Sequence, residues 1–257
     1  MAEDILSRTR LLLGEPAIET LKHSHVAVFG IGGVGGYTTE ALARSGVGEL
    51  TIIDNDRVCI SNVNRQIYAL QSTIGQYKVD VAEQRIYDIN PECVVHRYQM
   101  FYLPDNADQI DLTQFDYVVD CIDTVTAKIE LVRRCHSLGI PLISSMGAAN
   151  KMDATAFRVT DITKTTMDPL AKIIRKKMRQ LHIPHLKVVY SVEPPLCPIE
   201  NPDEMEHSFK QDDTTGDEIP KRRSVPASNA FVPATAGLIA AGEVIKDLLI
   251  KAGTMRE

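Results

Sequence analysis

Strand-like apolar runs alternate with segments of helical period through the first 145 residues, and few architectures accept that alternation. The runs are VAVF (26–29), LTIID (50–54), VVHRY (94–98), YVVDC (117–121) and PLISS (141–145). Helical periodicity falls between them at 36–44, 78–89 and 126–138, with Asn90-Pro91 and Gly139-Ile140-Pro141 breaking two of the helix ends. Such alternation predicts a parallel, doubly wound, Rossmann-like α/β sheet. Beyond Asn150 the pattern changes to AFRV (156–159), a helix from Pro169, KVVYSV (187–192), an irregular polar tract and an apolar last helix within 230–250. An antiparallel C-terminal extension of a mostly parallel sheet is the simplest expectation. With 257 residues and 44% apolar side chains, one large domain over 1–257 can bury its own core.

The first strand runs into VFGIGGVGG, which sets Gly30, Gly32, Gly33 and Gly35 at a strand-to-helix turn. Glycines there permit a tight turn and let phosphate oxygens approach the helix N-terminus, so nucleotide binding is expected. Asp54 closes the second strand, where a carboxylate can take ribose hydroxyls. A dehydrogenase would look the same to this point. It would not need the cations that follow in DNDRVCISNVNRQIYALQSTIGQYK (54–78), because a diphosphate is held by backbone amides. Arg65 and Lys78, helped by Asn62 and Ser61, suit a triphosphate and stabilise charge that accumulates when the α-phosphorus is attacked and pyrophosphate leaves. Nucleotidyl transfer from ATP is the chemistry implied. Asp123, in DCIDT after the fourth strand, is placed to hold magnesium or, alternatively, to cap the next helix; Asp56 and Asp120 are weaker metal candidates. No GxxxxGK[ST] phosphate loop occurs.

GIGGVGG, IIDND, ISNVNRQ, GQYK and DCIDT, in that order, resemble the nucleotide site of the ThiF/MoeB-type adenylating enzymes related to ubiquitin activators. The resemblance implies that Asp54, Asn62, Arg65, Lys78 and Asp123 bind ATP and magnesium. It also implies a homodimer in which an arginine near the N-terminus completes the partner's site; Arg8 in LSRTRLLLG matches best, with Arg10 second. The stretches 141–180 and 228–249 are similar to the tRNA threonylcarbamoyladenosine dehydratase branch, whereas the two C-x-x-C zinc pairs usual in sulfur-carrier activators are missing. That likeness implies a nucleotide-binding half over 1–150 and a substrate-binding and dimerisation half over 151–257. The reaction implied is ATP-dependent activation of a threonyl carboxylate on tRNA, followed by ring closure with loss of water. A sulfur-transfer or cysteine-desulfurase-type partner stays open. So do three other readings: an activator of a small protein ending in Gly-Gly, a nucleotide-dependent scaffold, and an NAD dehydrogenase.

The formal net charge of −6 means that contact with tRNA needs a local basic patch. The helix from Asp168-Pro169 offers Lys172, Arg175, Lys176 and Arg179 opposite Leu170, Ile173, Ile174, Met178 and Leu181, with Lys177 falling near the apolar arc. Arg133, Arg134 and Lys221-Arg222-Arg223 are auxiliary candidates. The acidic tract over 194–226 reads as a mobile loop. Five scattered cysteines form no disulfide framework and fit a reducing cytoplasm; Cys197 lacks an obvious base, so a thioester there is disfavoured. The N-terminus lacks the order of a signal peptide, and Glu243, Lys246 and Asp247 make the last apolar stretch too polar for a membrane. The histidines show no ligand spacing, so no metal beyond magnesium is expected. A monovalent cation on backbone oxygens of 145–149 is a further candidate ligand.

Overall fold

The computed structural model describes residues 4–199 and 226–256. The chain enters through two short helices that the periodicity does not announce, α1 (Ser7–Leu13) and α2 (Glu15–Lys22), parted by Gly14 at φ 87°. There follow β1 (His25–Phe29), α3 (Gly35–Arg44), β2 (Glu49–Ile53), α4 (Lys78–Ile89), β3 (Val94–Tyr98), β4 (Tyr117–Asp120), α5 (Val125–Leu138) and β5 (Leu142–Ser145). The second half adds β6 (Phe157–Asp161), α6 (Pro169–Gln180), β7 (Lys187–Ser191) and α7 (Val232–Ala252). Among the described residues no helix is long and apolar enough to cross a membrane. The acidic tract falls largely at 200–225, outside the described residues, and with it Lys221, Arg222 and Arg223.

One seven-stranded sheet runs β3-β2-β1-β4-β5-β7-β6. Every ladder is parallel except β6 with β7, so the mostly parallel expectation holds and its antiparallel part shrinks to one pair. β7 was expected in the extension but pairs in parallel with β5, because β6 and α6 carry the chain back to the starting edge before β7 begins. Strand order reverses between β1 and β4, which opens a crevice at their carboxyl ends. Both strands are buried along their whole length, as central parallel strands covered by helices on both faces must be.

α7 covers one face by packing against α3 at backbone distance. A Cβ on Gly237 would lie 2.2 Å from the Val34 carbonyl oxygen, and Thr38 Oγ1 donates to the Gly237 carbonyl at 3.1 Å. The opposite face holds Phe29, Ile110, Phe115 and Leu131 under α5.

Beneath the crevice lies an ion pair with no solvent exposure. Lys128 Nζ on α5 donates to Asp120 Oδ2 (2.8 Å), Ser144 Oγ (3.1 Å) and the Ser145 carbonyl (3.0 Å), which uses all three of its protons. Ser144 Oγ donates to the same carboxylate at 2.6 Å and the Ile122 amide to its other oxygen at 3.1 Å. Asp120, a weak magnesium candidate in the sequence, is therefore committed to the interior. Removing one partner strands a buried charge, so Lys128→Met is expected to lower unfolding free energy by about 3–5 kcal/mol in urea titration. Asp120→Asn combined with Lys128→Met should cost less than the single change; an equal or larger loss would refute the ion-pair account.

Candidate active site

The crevice widens into a cavity of about 660 Å³ whose wall includes Gly30, Gly32, Gly33, Asp54, Asp56, Asn62, Arg65, Lys78 and Asp123. The glycines serve different ends. Gly30 turns at φ 81°, where a Cβ would lie 2.9 Å from the Cys121 carbonyl oxygen, and a Cβ on Gly35 would sit 1.8 Å from the Gly30 oxygen. Gly35 therefore lies behind the wall, where it lets β1 and α3 close on each other; Gly32 and Gly33 face the cavity itself.

Asp54 ties β2 to this turn. Its Oδ2 accepts the Ile31 amide and its Oδ1 the Asp56 amide, both at 2.9 Å. Burial pushes the Asp54 carboxyl above its ordinary range, against the opposing pull of Lys78. Lys78 reaches the site because the segment after β2 folds back. Arg57 stacks 3.6 Å from the centroid of the Tyr77 ring, and the Lys78 amide donates to the Asp56 carbonyl at 3.0 Å. Its ammonium then lies 2.7 Å from Asp56 Oδ2 and 3.7 Å from Asp54 Oδ1. Arg65 lies against the glycine turn, with Cγ 3.6 Å from a Cβ placed on Gly33, while its Nη1 donates to the Ser61 carbonyl and to Asn64 Oδ1. Asn62 holds the short turn over 60–62 by accepting the Cys59 amide at 3.1 Å.

Asp123 is exposed at the cavity rim, bonded only by Thr124 Oγ1 at 3.3 Å among the described residues. Thr124, not Asp123, holds the N-cap position of α5, and it makes no side-chain cap bond, so the helix-cap alternative for Asp123 is not realised. Residues 145–149 form the wall across from the cations. Sequence reading overlooked Gln66, although it stands in the NRQ motif, and Pro233, although it stands in the 228–249 stretch; Pro233 lies 3.3 Å from the Cβ position of Gly33.

The chain matches the ThiF family model over residues 6–255. It belongs to the ThiF family. The tRNA threonylcarbamoyladenosine dehydratase of Bacillus subtilis strain 168 is 48% identical over 244 residues, covering 95% of this chain and 94% of that one. The solved structure of the Escherichia coli tRNA N6-threonylcarbamoyladenosine dehydratase in complex with ATP aligns with TM-score 0.82 and 34% identity, over 96% of this chain and 95% of that one. The molybdopterin-synthase adenylyltransferase of Salmonella typhimurium is 35% identical over 158 residues, or 62% of this chain and 61% of that protein. The resemblance drawn from the motifs and the fold expected from the apolar runs are both borne out.

Within this ThiF-family chain the peripheral candidates sort by their bonds. Arg10 is engaged by Asp4 at 2.9 Å and Glu15 at 2.6 Å, whereas Arg8 is exposed without a partner among the described residues, and neither lines the cavity. On α6, Lys172, Lys176 and Arg179 are exposed, and so is Lys177, which does not enter the apolar face as expected. Arg175 leaves the stripe: half-buried, it donates to the Thr165 carbonyl and hydroxyl at 2.8 and 2.6 Å and fastens the helix to the preceding loop. Ile173 and Leu181, assigned to the packed face, are exposed; Ala171, Ile174 and Met178 do the packing. Arg133 pairs with Glu130 and Arg134 with Asp108, so both are neutralised locally.

The ThiF-family cavity also holds a thiol, Cys121, which burial pushes up to about 12; Cys93 and Cys135 are raised to about 12 for the same reason. None carries appreciable thiolate at neutral pH. Brief iodoacetamide treatment of the native protein is expected to label the exposed Cys59 and Cys197 and to spare the other three until urea is added. Peptide mass spectrometry showing native Cys121 labelled as fast as Cys59 would overturn this.

Proposed function

We propose that this chain is an ATP-dependent tRNA threonylcarbamoyladenosine dehydratase. What carries the reading is the meeting, in one cavity at the strand-order reversal, of the glycine turn, Asp54, Arg65, Lys78 and Asp123, in a chain 48% identical to a dehydratase of that name across 95% of its length. Asp54 takes the ribose hydroxyls, the turn and the start of α3 take the phosphates, and Arg65 and Lys78 neutralise charge on the α-phosphate and on departing pyrophosphate. Lys78 is held between two carboxylates before ligand arrives, so a phosphate that draws its ammonium away from Asp56 exchanges one anion for another at small electrostatic cost.

The threonyl carboxylate attacks the α-phosphorus, the bond to the β-phosphate oxygen breaks, and pyrophosphate departs. In the acyl adenylate the carbonyl carbon carries a good leaving group in place of oxide. A nitrogen of the same modified side chain attacks that carbon, loses its proton, and AMP leaves. The net change is ATP consumed to AMP and pyrophosphate, and one water lost from the nucleoside as it cyclises. No enzyme nucleophile enters, in keeping with the half-buried Cys121, whose thiol is pushed up to about 12. Asp123, exposed at the rim and nearly unbonded, fits a hard cation held by one carboxylate and substrate phosphates. Magnesium bound there supplies positive charge to the phosphate oxygens. On the facing wall the Ser145 carbonyl is taken by Lys128. A monovalent cation would therefore draw on its neighbours and on Asp168 Oδ2, which is buried, unpartnered and 3.3 Å from the Cβ position of Gly147.

α6 reaches the cavity through Leu170, so the exposed Lys172, Lys176, Lys177 and Arg179 can hold backbone phosphates of a tRNA whose modified base enters the site. Pyrophosphate release measured with threonylcarbamoyl-modified and unmodified tRNA tests the substrate. Strong stimulation by the modified tRNA alone is expected, falling at least about 100-fold in Arg65→Ala or Asp123→Ala. Equal rates with both tRNAs, or adenylation of a small Gly-Gly protein instead, would refute it.

The unpartnered Arg8, beside Leu11 and Leu12 at 72% and 71% exposure on α1, serves the site of a second copy in a homodimer. Mixing inactive Arg8→Ala with inactive Arg65→Ala should then restore up to about a quarter of wild-type turnover, since half the dimers are mixed and each has one intact site. No recovery after subunit exchange confirmed by native mass spectrometry would assign Arg8 elsewhere.

A further inference from the structure

The opposite edge of the sheet carries a second group of ligand-type side chains, and none of them belongs to the cavity. His25 opens β1, Glu49 opens β2, and His96 lies within β3. The parallel register sets His25 beside Glu49 and Thr51 beside His96. Side chains alternate along a strand, so Glu49 and Thr51 share a face and all four residues converge on it. Glu49 Oε1 lies 3.4 Å from His25 Nδ1 and 2.7 Å from His96 Nε2. The three ligand atoms all fall within 4.8 Å of one another, an arrangement found once among the described residues.

From this geometry we propose that His25, Glu49 and His96 bind one divalent ion of the zinc class, with water in the fourth position. Two imidazoles and one carboxylate are the donors such borderline ions take and that magnesium does not favour. Bonds of about 2.0–2.2 Å in a tetrahedron separate ligand atoms by about 3.3–3.6 Å; His25 Nδ1 already stands 3.4 Å from Glu49 Oε1, and His96 Nε2, at 2.7 Å, has to draw back by less than about 1 Å. The site is also backed from behind. His25 Nε2 meets the buried Thr51 hydroxyl at 2.8 Å, and the Phe115 ring packs edge-on to the imidazole at 4.8 Å, which fixes its plane and turns Nδ1 toward Glu49. On the other side Glu49 and His96 are partly exposed, so an ion can enter from solvent and keep a water. Bound there, it cross-links β1, β2 and the edge strand β3, which pairs with β2 alone. None of its three residues lines the nucleotide-site cavity, so its role is structural.

Zinc titrated into the metal-free full-length protein, with magnesium in excess to occupy carboxylate sites, tests the proposal by calorimetry and thermal melting. One ion per chain at micromolar affinity or tighter is expected, with a zinc-dependent rise in melting temperature. His96→Ala alters an exposed side chain and should leave the metal-free melting temperature unchanged while weakening zinc at least 10-fold. Thr51→Val removes only the hydroxyl behind His25 and should weaken it about 10-fold. Absence of binding by the wild-type chain, or the same affinity in His96→Ala, would overturn the assignment.

Discussion

The Asp120–Lys128 ion pair is the constraint around which the carboxyl edge of the sheet is arranged. An ammonium and a carboxylate without any solvent contact are tolerable only when every proton and lone pair has a partner, and here the partners come from the ends of β4 and β5 and from α5. Those three elements are thereby fixed to one another at the floor of the cavity. Asp123 follows Asp120 by one turn of chain, and the 145–149 wall begins at the residue whose carbonyl Lys128 holds. The rim and wall of the cavity thus inherit their placement from a pair of charges that is sealed away from it.

Two of the three lysines buried among the described residues make an instructive contrast. Lys78 and Lys128 each sit at the first turns of a helix and face a carboxylate at a strand end, yet one opens on the cavity and the other is sealed. Lys128 has spent all its protons on fixed partners. Lys78 has a close partner only in Asp56, whose own side chain is largely exposed, so its charge can turn toward a ligand. Difference in enclosure, not in residue type, separates a sealed cation from one that opens on the cavity.

How far the sequence reveals this depends on the range of the interactions. Central parallel strands are buried on both faces and read as apolar runs, and the glycine turn and Asp54 are adjacent along the chain or in the sheet, so the fold and the nucleotide wall were legible. Lys128 was not, because a lysine within a helix carries no mark of what it faces. Asp120 and Asp123 belong to one motif and looked interchangeable until the end of β4 buried the first and left the second at the rim. Arg175 differs from its basic neighbours only by lying over Thr165. The direction of β7 is set by the crossover before it, which composition does not encode. His25, Glu49 and His96 come from three strands, so no spacing along the chain could reveal them.

The contact between Gly237 on α7 and Val34 beside the glycine turn bears on how this chain can be divided. A helix from the last segment packs beside the glycine turn, and its Pro233 stands against Gly33. Splitting the polypeptide near residue 150 would leave α3 uncovered, whatever motifs the amino-terminal fragment retained. Nucleotide chemistry is written early in the chain, but the cooperativity that keeps its turn in shape closes only when the carboxyl-terminal helix has docked.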